Sequence, residues 1–365
     1  MRVLLVAPEL QDGGAERAWA VLAVSLVKRG HRVLGLTLAG EGGIFSELRA
    51  RGVDVVCVGM HRRSDVHGWR RAIRIAHSFR PHLVVSRSVS AQVVGQLMAW
   101  RLKVPHVTVE QGGPRLPLKA HQRVLRRLVG RHVDRVIAVS SSQLSALAAS
   151  GFGLDRARVI PNGVDDNRVR PRRPRAQVRQ DLSLRDDDVA AMLIANLRPE
   201  KRIEDFIRGV AAARRRDTRI RGFVAGDGSE HALLAAAAAR TDGAVQLLGF
   251  RSDAPDLLNA ADVVCLTSET EGIPLVLVEA MALGRPVLAT RVGGVVDLVV
   301  DRETGVLLPP CNPHALADAL VDLANAPERA VTYGEAGRRR QRAFFTGDAM
   351  TERYLSVFEE VVHSP

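Results

Sequence analysis

Short apolar runs rich in Val, Ile and Leu alternate along the chain with longer segments whose apolar residues recur every three or four positions. The runs predict buried parallel strands and the longer segments predict helices. Strands are predicted at residues 2–8, 31–37, 53–58, 82–86, 106–109, 134–140, 159–161, 189–195, 219–225, 245–249, 261–267, 287–290 and 305–308. This alternation predicts an α/β protein with right-handed crossovers and a doubly wound parallel sheet in each half.

The length of 365 residues favours two domains. Residues 162–188 are rich in Arg, Pro and Asp, which is typical of a linker or of a surface crossing between domains. We therefore predict a boundary near residue 165. The acidic run Asp186 to Asp188 precedes its strand, so it indicates a solvated turn rather than a metal site.

The net charge of +12 is concentrated in one half of the chain. Residues 1–165 hold 25 Lys and Arg and 11 Asp and Glu, a net of +14, whereas residues 166–365 hold 27 and 29, a net of −2. A basic first half suggests an acidic partner, such as nucleic acid, anionic lipid or a phosphorylated substrate. The alternative is that the cations simply lie on solvated faces. Few aromatic residues and no recognition motif argue against nucleic acid.

Two predicted helices, residues 69–77 and 119–131, are basic. A helical arrangement puts the cations of the second largely on one side, and these are Lys119, Arg123, Arg126, Arg127 and Arg131. Such a helix either lies on an anionic membrane or is an ordinary surface helix with a core face, and the pattern leaves both open.

The chain shows the features of a cytoplasmic protein. No apolar run approaches the roughly 20 residues of a membrane span. The apolar start, residues 1–8, is too short for a signal peptide. Cys57, Cys265 and Cys311 form neither a disulfide framework nor a metal-ligand pattern, which suits a reducing compartment.

The most informative stretch is residues 268–286, a strand–loop–helix unit with two unusual glutamates. Glu271 lies in the loop at a strand's carboxyl end, where open α/β sheets bind ligands. Glu279 lies within an otherwise apolar helix, whose N-terminus would present amides to an anion. Acceptors for hydroxyl groups beside donors for phosphate indicate a sugar–phosphate site. The alternative is that Glu271 is solvated and that Glu279 caps nearby backbone.

Other strand ends carry weaker signals. Gly13 and Gly14 form either an anion-binding turn or a plain tight turn before a helix. Arg198 and Lys201 follow a strand and either bind phosphate or are merely exposed. The polar residues at 86–88 and 110–113 stand where an acceptor pocket would lie, or are loop residues. No strand is followed by the dinucleotide-binding G-x-G-x-x-G motif.

Three segments together resemble the retaining glycosyltransferases of family 4. Residues 159–165, Val-Ile-Pro-Asn-Gly-Val-Asp, resemble the interdomain segment of that family. Residues 198–201, Arg-Pro-Glu-Lys, resemble its phosphate-binding loop, and Glu271 to Glu279 matches its Glu-x7-Glu motif. The order and spacing cover nearly the whole chain.

The resemblance implies a GT-B fold, in which two Rossmann-like doubly wound domains face a central cleft. Residues 1–165 would bind the acceptor, residues 166–345 would bind the sugar nucleotide, and a C-terminal helix within 346–365 would pack back on the first domain. The implied donor-binding residues are Gly13, Gly14, Asn196, Arg198, Lys201, Gly226, Phe250, Glu271, Gly272, Ile273, Pro274, Leu275 and Glu279.

The resemblance also implies specific roles. Glu279 would accept from the ribose hydroxyls and Glu271 from those of the donor sugar, while Lys201 and Arg198 would neutralise the pyrophosphate. Many family members carry Gly-Arg-Leu where this chain has Ala-Asn-Leu around Asn196. A histidine expected near the end of the fourth or fifth strand is also missing, and Glu110 or Gln111 would touch the sugars instead.

The implied activity is that of a retaining hexosyltransferase that needs no metal or other cofactor. Its donor would be a UDP- or GDP-sugar. Its acceptor would be a glycan, a glycolipid or a small molecule, as in polysaccharide or glycolipid biosynthesis. The enzyme would be cytoplasmic or peripheral at the inner face of the cell membrane, without a nucleic-acid partner. The alternatives are an epimerase or hydrolase of sugar nucleotides on the same fold, or a catalytically silent sugar-nucleotide sensor.

Overall fold

A computed structural model describes residues 1–11, 13–60, 65–111 and 120–363. Its contacts divide the chain into two units. Unit 1 comprises Met1–Gly163 with Gly347–Pro365, and unit 2 comprises Val164–Thr346.

Unit 1 is built on a seven-stranded parallel sheet in the order β3-β2-β1-β4-β5-β6-β7. Its elements are β1 (Arg2–Ala7), α1 (Gly14–Lys28), β2 (Arg32–Thr37), α2 (Ile44–Ala50), β3 (Asp54–Cys57), α3 (Val66–Phe79), β4 (Leu83–Arg87), α4 (Ser88–Leu102), β5 (His106–Glu110), α5 (Ala120–His132), β6 (Arg135–Ala138), α6 (Leu144–Ala149), β7 (Ala157–Val159) and the C-terminal helix, Gly347–His363.

Alternate residues of the unit 1 strands enter two different cores, because successive side chains of a strand point to opposite faces. Val3 and Leu5 pack with α1, α2 and the C-terminal helix. Leu4 and Val84 pack with α3 and α4. At the same face, Val136 packs with Val129 of α5. Helices therefore cover both faces of the sheet.

Unit 2 is built on a six-stranded parallel sheet in the order β10-β9-β8-β11-β12-β13. Its elements are α7 (Arg175–Asp181), β8 (Val189–Ile194), α8 (Ile203–Arg214), β9 (Ile220–Ala225), α9 (His231–Ala239), β10 (Val245–Gly249), α10 (Ala254–Ala260), β11 (Val263–Leu266), α11 (Leu275–Ala282), β12 (Val287–Thr290), α12 (Val295–Leu298), β13 (Gly305–Leu308), α13 (Pro313–Ala324) and α14 (Pro327–Phe344). The prediction of two doubly wound parallel sheets is confirmed.

The supposed linker contains a helix that the apolar pattern does not reveal. Helix α7 lies within residues 162–188 and is held by arginines. Arg175 Nη2 and Arg179 Nη1 donate to the two carboxylate oxygens of Asp262, at 2.5 and 2.8 Å. Asp188, predicted in a solvated turn, is buried and accepts from the backbone and guanidinium of Arg185. The solvated-turn prediction is therefore wrong for Asp188, while Asp186 and Asp187 are exposed in a turn. The linker prediction missed α7 because its partner Asp262 lies more than 80 positions away.

Helix α14 is also absent from the predicted elements, since its sequence is highly charged. It packs through glycines: a Cβ on Gly334 would lie 2.1 Å from the carbonyl oxygen of Gly284, at the end of α11. This close approach anchors the helix without a broad apolar face. No helix within the described residues combines the length and apolarity that crossing a bilayer requires.

Candidate active site

The strand order of unit 2 places a topological switch point between β8 and β11. From β8 the chain adds β9 and β10 on one side, and it then returns to add β11, β12 and β13 on the other side. Loops that follow β8 and β11 therefore diverge at one edge of the sheet and leave a crevice, where open α/β sheets bind ligands.

Lys201 and Glu271, one from each of these loops, meet at the switch point. Lys201 ends the short 3-10 helix Pro199–Lys201, and its Nζ lies 2.6 Å from Glu271 Oε1. Ser268 Oγ donates to the same oxygen at 2.6 Å. The Lys201 and Glu271 side chains are 23% and 10% exposed, so water screens this pair less than it screens a surface pair. The structure thus brings together two residues that the sequence places 70 positions apart.

Bonds between the two loops hold this pair in place. Thr267 Oγ1 lies within hydrogen-bond distance of the carbonyl oxygens of Lys201, at 3.2 Å, and Arg202, at 3.0 Å. The amide of Glu269 donates to the carbonyl of Glu200 at 2.9 Å. Because both loops are tied by main-chain atoms, their charged side chains project from a common framework.

A glycine supports the backbone of Glu271 from a third loop. Gly293 has a φ of +46°, and a Cβ there would lie 2.0 Å from the Glu271 carbonyl oxygen. The neighbouring amide of Gly294 donates to that oxygen at 3.2 Å. Only glycine satisfies both the left-handed conformation and the close approach.

Helix α11 begins four residues after Glu271. Pro274 is its N-cap residue rather than its first helical residue, so the helix begins at Leu275. The first amides of a helix lack partners within it and carry a partial positive charge. Glu279 is partly buried on this helix. These features agree with a site for hydroxyl and phosphate groups, while the donor-binding roles of residues 272–275 and Glu279 stay predictions.

The remaining unit 2 candidates differ in their surroundings. Asn196 and Arg198 are exposed, and Phe250 is 75% exposed after Gly249. Gly226 has a φ of +144°, and a Cβ there would lie 1.9 Å from the Ala195 carbonyl oxygen. The close contact between the ends of β8 and β9 therefore explains why residue 226 is a glycine. The role of Gly226 in donor binding stays a prediction.

Unit 1 has its own switch point, between β1 and β4, and an arginine occupies it. Arg87, 6% exposed at the end of β4, donates through Nη2 to the Glu9 carbonyl at 2.8 Å and to Glu16 Oε1 at 2.9 Å. A Cβ on Gly13 would lie 2.4 Å from Glu16 Oε2. Arg87 thus holds both ends of the glycine turn that the sequence singles out at Gly13 and Gly14. The residue pattern did not identify Glu16, because its partner lies 71 positions away.

The candidates near the end of β5 are engaged with neighbouring amides. Gln92 Nε2 lies 2.5 Å from Glu110 Oε1, and Gln111 Nε2 lies 3.4 Å from Asn162 Oδ1. Gly112 and Gly113 of the predicted acceptor segment lie outside the described residues. The proposed contact of Glu110 with sugars stays a prediction.

His106 lies at the start of β5, away from the carboxyl end where ligands bind. Its Nδ1 donates to Gln96 Oε1 at 2.9 Å, and its Nε2 lies 2.7 Å from Ser86 Oγ. Burial lowers the pKa of His106 to about 3, so the ring is neutral at pH 7. This histidine belongs to the core of unit 1.

Across the ranges that the structure describes, no three His, Cys, Asp or Glu side chains are grouped so as to hold an ion. Activity without a metal remains a prediction.

Two family models match successive parts of the chain. The model described as Glycosyltransferase Family 4 matches residues 12–168. The model described as Glycosyl transferases group 1 matches residues 174–340, which include Lys201, Glu271 and Glu279.

Two curated relatives show how far this similarity extends. N-acetyl-alpha-D-glucosaminyl L-malate synthase of Bacillus anthracis is 25% identical over 77% of this chain and 74% of its own. D-inositol 3-phosphate glycosyltransferase of Saccharomonospora viridis is 34% identical over 57% of this chain. That alignment spans only 51% of the relative, about half its length.

Among solved structures, Anabaena Alr3699/HepE in complex with UDP superposes with a TM-score of 0.88. The match covers 99% of this chain and 100% of that one at 23% identity. At this identity the superposition establishes a shared fold and no shared substrate.

Proposed function

Because the chain belongs to the family 4 type of glycosyltransferases and has their GT-B fold, we propose that it is a retaining, metal-independent enzyme that transfers a sugar from a UDP- or GDP-sugar. The acceptor is a hydroxyl of a glycan, a lipid-linked sugar or a small molecule.

The ion pair between Lys201 and Glu271 at the unit 2 switch point carries this proposal. A nucleotide sugar presents anionic phosphates next to neutral hydroxyls. A lysine ammonium has three N–H donors and an ionised carboxylate is purely an acceptor, so the pair suits both ends of such a ligand. Lys201 Nζ donates one N–H to Glu271. An ammonium has three N–H donors, so it can also donate to a phosphate oxygen.

The placement of these groups supports the proposed donor-binding roles. Lys201, with the exposed Arg198, neutralises the pyrophosphate, and the amides of residues 272–275 contact its oxygens and the sugar. Glu271 accepts from sugar hydroxyls, and Glu279, about one turn into α11, accepts from the ribose.

The chemical step breaks the bond between the anomeric carbon and the β-phosphate oxygen. The acceptor oxygen forms its bond to that carbon from the same face, and its proton passes to the departing phosphate oxygen. The transition state is oxocarbenium-like, with negative charge growing on the leaving diphosphate. Preorganised cations and amides that stabilise this charge supply the main catalytic effect.

Related proteins suggest the first substrates to test. Structures of Anabaena HepE contain UDP and UDP-glucose, which makes UDP-sugars the leading donors. The names of two relatives include D-inositol 3-phosphate and L-malate, both small anions. The basic balance of residues 1–165 is compatible with acceptors of this charge.

The proposal is tested by thermal unfolding with UDP-, GDP-, TDP- and ADP-sugars. One nucleotide class is expected to stabilise the protein, by about 2.7 kcal/mol at a concentration of 100 Kd. Glu279→Ala is expected to lose this gain, while Glu303→Ala, at an exposed glutamate in unit 2, keeps it. Stabilisation by no donor, or equal stabilisation in both variants, would contradict the proposed site.

Turnover with the stabilising donor then separates transfer from its alternatives. Release of nucleotide that requires an acceptor, with an α-linked product from an α-linked donor, supports retaining transfer. Turnover of the donor alone would indicate an epimerase or hydrolase. Tight binding without turnover across acceptors would indicate a sensor. Activity that chelators abolish and added metal restores would overturn metal independence.

A further inference from the structure

The helices of unit 1 are sorted by charge between the two faces of the sheet. Helices α3, α4 and α5 cover one face, and α1, α2 and the C-terminal helix cover the other. The first three helices comprise 14, 15 and 13 residues, with eight Arg and no Asp or Glu. The opposite three contain six Asp and Glu against four Lys and Arg. The net charge of these helices is therefore +8 on one face of the sheet and −2 on the other.

That basic face also carries exposed apolar side chains. Trp100 near the end of α4 contacts the ring of His132 at the end of α5, edge to face, with centroids 5.1 Å apart. Leu97 lies one helical turn before Trp100, and Leu128 and Val124 lie one and two turns before His132. The four apolar residues are each at least 40% exposed. They form two adjacent apolar stripes, which we call the α4–α5 surface.

Exposed cations lie next to the apolar residues of the α4–α5 surface along the chain. They are Arg101, Lys103, Arg127 and Arg131. Lys119 and the side chains of Arg123 and Arg126, three of the five cations predicted for this helix, lie outside the described residues. The described cations alone place positive charge next to the apolar residues.

We propose that the α4–α5 surface binds an anionic lipid bilayer, with Trp100, Leu97, Leu128 and Val124 entering the interfacial region and the arginines contacting lipid phosphates. Tryptophan favours the interface because its ring is largely apolar and its N–H finds partners among headgroups. Each Lys or Arg near an anionic surface adds to the attraction. Charge and apolar insertion act together, as in interfacial amphipathic helices.

The apolar stripes distinguish this partner from nucleic acid. Binding to a phosphate backbone needs cations and gains little from four exposed apolar side chains without stacking geometry. A protein partner would need acidic residues to match these cations. A bilayer supplies lipid phosphates next to a hydrocarbon layer. It can therefore contact the cations and the apolar side chains of this surface at the same time.

This inference is independent of the donor chemistry, because lipid binding requires neither Lys201 nor Glu271. Its consequence for the proposed function is that the acceptor would be reached at a membrane, which favours a lipid-linked acceptor. Vesicle binding without transferase activity, or activity without vesicle binding, would separate the two proposals.

The test is sedimentation of the full chain with vesicles of phosphatidylcholine, with and without phosphatidylglycerol, at low and physiological ionic strength. Binding is expected only with the anionic lipid and is expected to weaken with salt. Arg101→Glu with Arg131→Glu is expected to weaken it about 10-fold or more. Trp100→Ser with Leu128→Ser is expected to weaken it comparably, with unchanged melting because both side chains are exposed.

Matched controls lie on unit 2. Leu233→Ser removes a leucine that is 56% exposed on α9, and Arg240→Glu reverses an exposed arginine beside it. Both are expected to bind like wild type. Brominated lipid is expected to quench tryptophan fluorescence in wild type and not in Trp100→Phe, since Trp19 is buried and Trp69 is packed against the α3–α4 core.

Several outcomes would overturn the proposal. These are equal binding to neutral vesicles, no binding at low salt, or wild-type binding by either double variant. Quenching that persists in Trp100→Phe would place another surface on the lipid. Tight binding to duplex DNA without vesicle binding would assign the basic face to nucleic acid. Dimerisation in solution that Trp100→Ser abolishes would assign the apolar stripes to a second copy of the chain.

Discussion

Replacing Gly293 with alanine is expected to displace Glu271 without touching its side chain. Gly293 has a φ of +46°, and its new Cβ would lie 2.0 Å from the Glu271 carbonyl oxygen. Ordinary contacts between such atoms are about 3.5 Å, so one of the two loops must retreat by about 1.5 Å. Both loops belong to the candidate site, so the retreat moves the carboxylate that pairs with Lys201.

Two terms set the magnitude of the effect on stability. An alanine in the left-handed region costs about 1–2 kcal/mol relative to glycine. Overpacking a well-filled region costs about 1–3 kcal/mol more. The sum, about 2–5 kcal/mol, is expected to lower the melting temperature of a unit of this size by at least about 4 °C. A displacement above about 1 Å at a catalytic group is expected to reduce turnover about 100-fold.

Gly243→Ala is the matched control. Gly243 also belongs to unit 2 and has a φ of +75°, but no atom lies within 4 Å of its Cβ position. The Gly243→Ala substitution therefore carries the free-energy cost of the left-handed backbone and no cost of a steric clash. We expect a smaller loss of stability than for Gly293→Ala, and unchanged turnover.

Thermal unfolding, donor affinity and turnover are measured for both variants with the donor that most stabilises the wild type. Temperatures are kept below the melting of the weaker variant. If Gly293→Ala binds and turns over the donor as Gly243→Ala does, the position of Glu271 does not control activity. The proposed role of this loop would then be wrong.

Three further variants probe other parts of the site. Glu271→Gln is expected to slow transfer by about 10²–10³-fold and to lower the melting temperature, because the amide keeps the bond from Ser268 but loses the ion pair with Lys201. Arg87→Gln is expected to destabilise unit 1 by about 1–3 kcal/mol and to raise the KM for donor, because the Gly13 turn loses its guanidinium bonds, while Arg87→Lys restores part of both. Burial lowers the pKa of His106 to about 3, below its value of about 6.5 in the unfolded chain. The folded state then binds fewer protons than the unfolded chain. His106 therefore lowers the free energy of unfolding by up to about 1.4 kcal/mol for each pH unit that the pH drops below 6.5, and His106→Asn is expected to remove this slope.

Each of these expectations has a contrary outcome. Wild-type transfer by Glu271→Gln would remove the carboxylate from the mechanism. If Arg87→Gln loses stability but keeps its KM, the arginine is structural only, and a cycle with Glu16→Gln measures their coupling. An unchanged slope of unfolding free energy against pH in His106→Asn would show that other groups carry the acid sensitivity.

Much of the fold could be predicted from local patterns. Apolar runs and helical periodicity depend on neighbours within a few residues, so the order of strands and helices follows from the sequence almost unaided. The β10, β12 and β13 bounds agree with the predicted ones. Helices α7 and α14 were not predicted, because arginine ion pairs and glycine contacts stabilise them rather than an apolar stripe.

The candidate site was predictable in part for the same reason. Glu271 and Lys201 each follow a strand, and parallel strands bring their carboxyl ends to one edge. Their direct pairing, and the support of Glu271 by Gly293, depend on which strands are adjacent. No local signal specifies that adjacency, because it is decided by the burial of whole faces.

The sequence by itself determined the order of the strands along the chain, the parallel α/β class of each half and the positions of the loops that carry polar groups. Tertiary structure alone decided that Arg87 would reach Glu16 and that three acid-free helices would share one face of a sheet. The physical reason is range. Hydrogen-bonded turns and side-chain alternation act over a few residues, whereas crossover handedness and strand order bring together charges that lie dozens of residues apart.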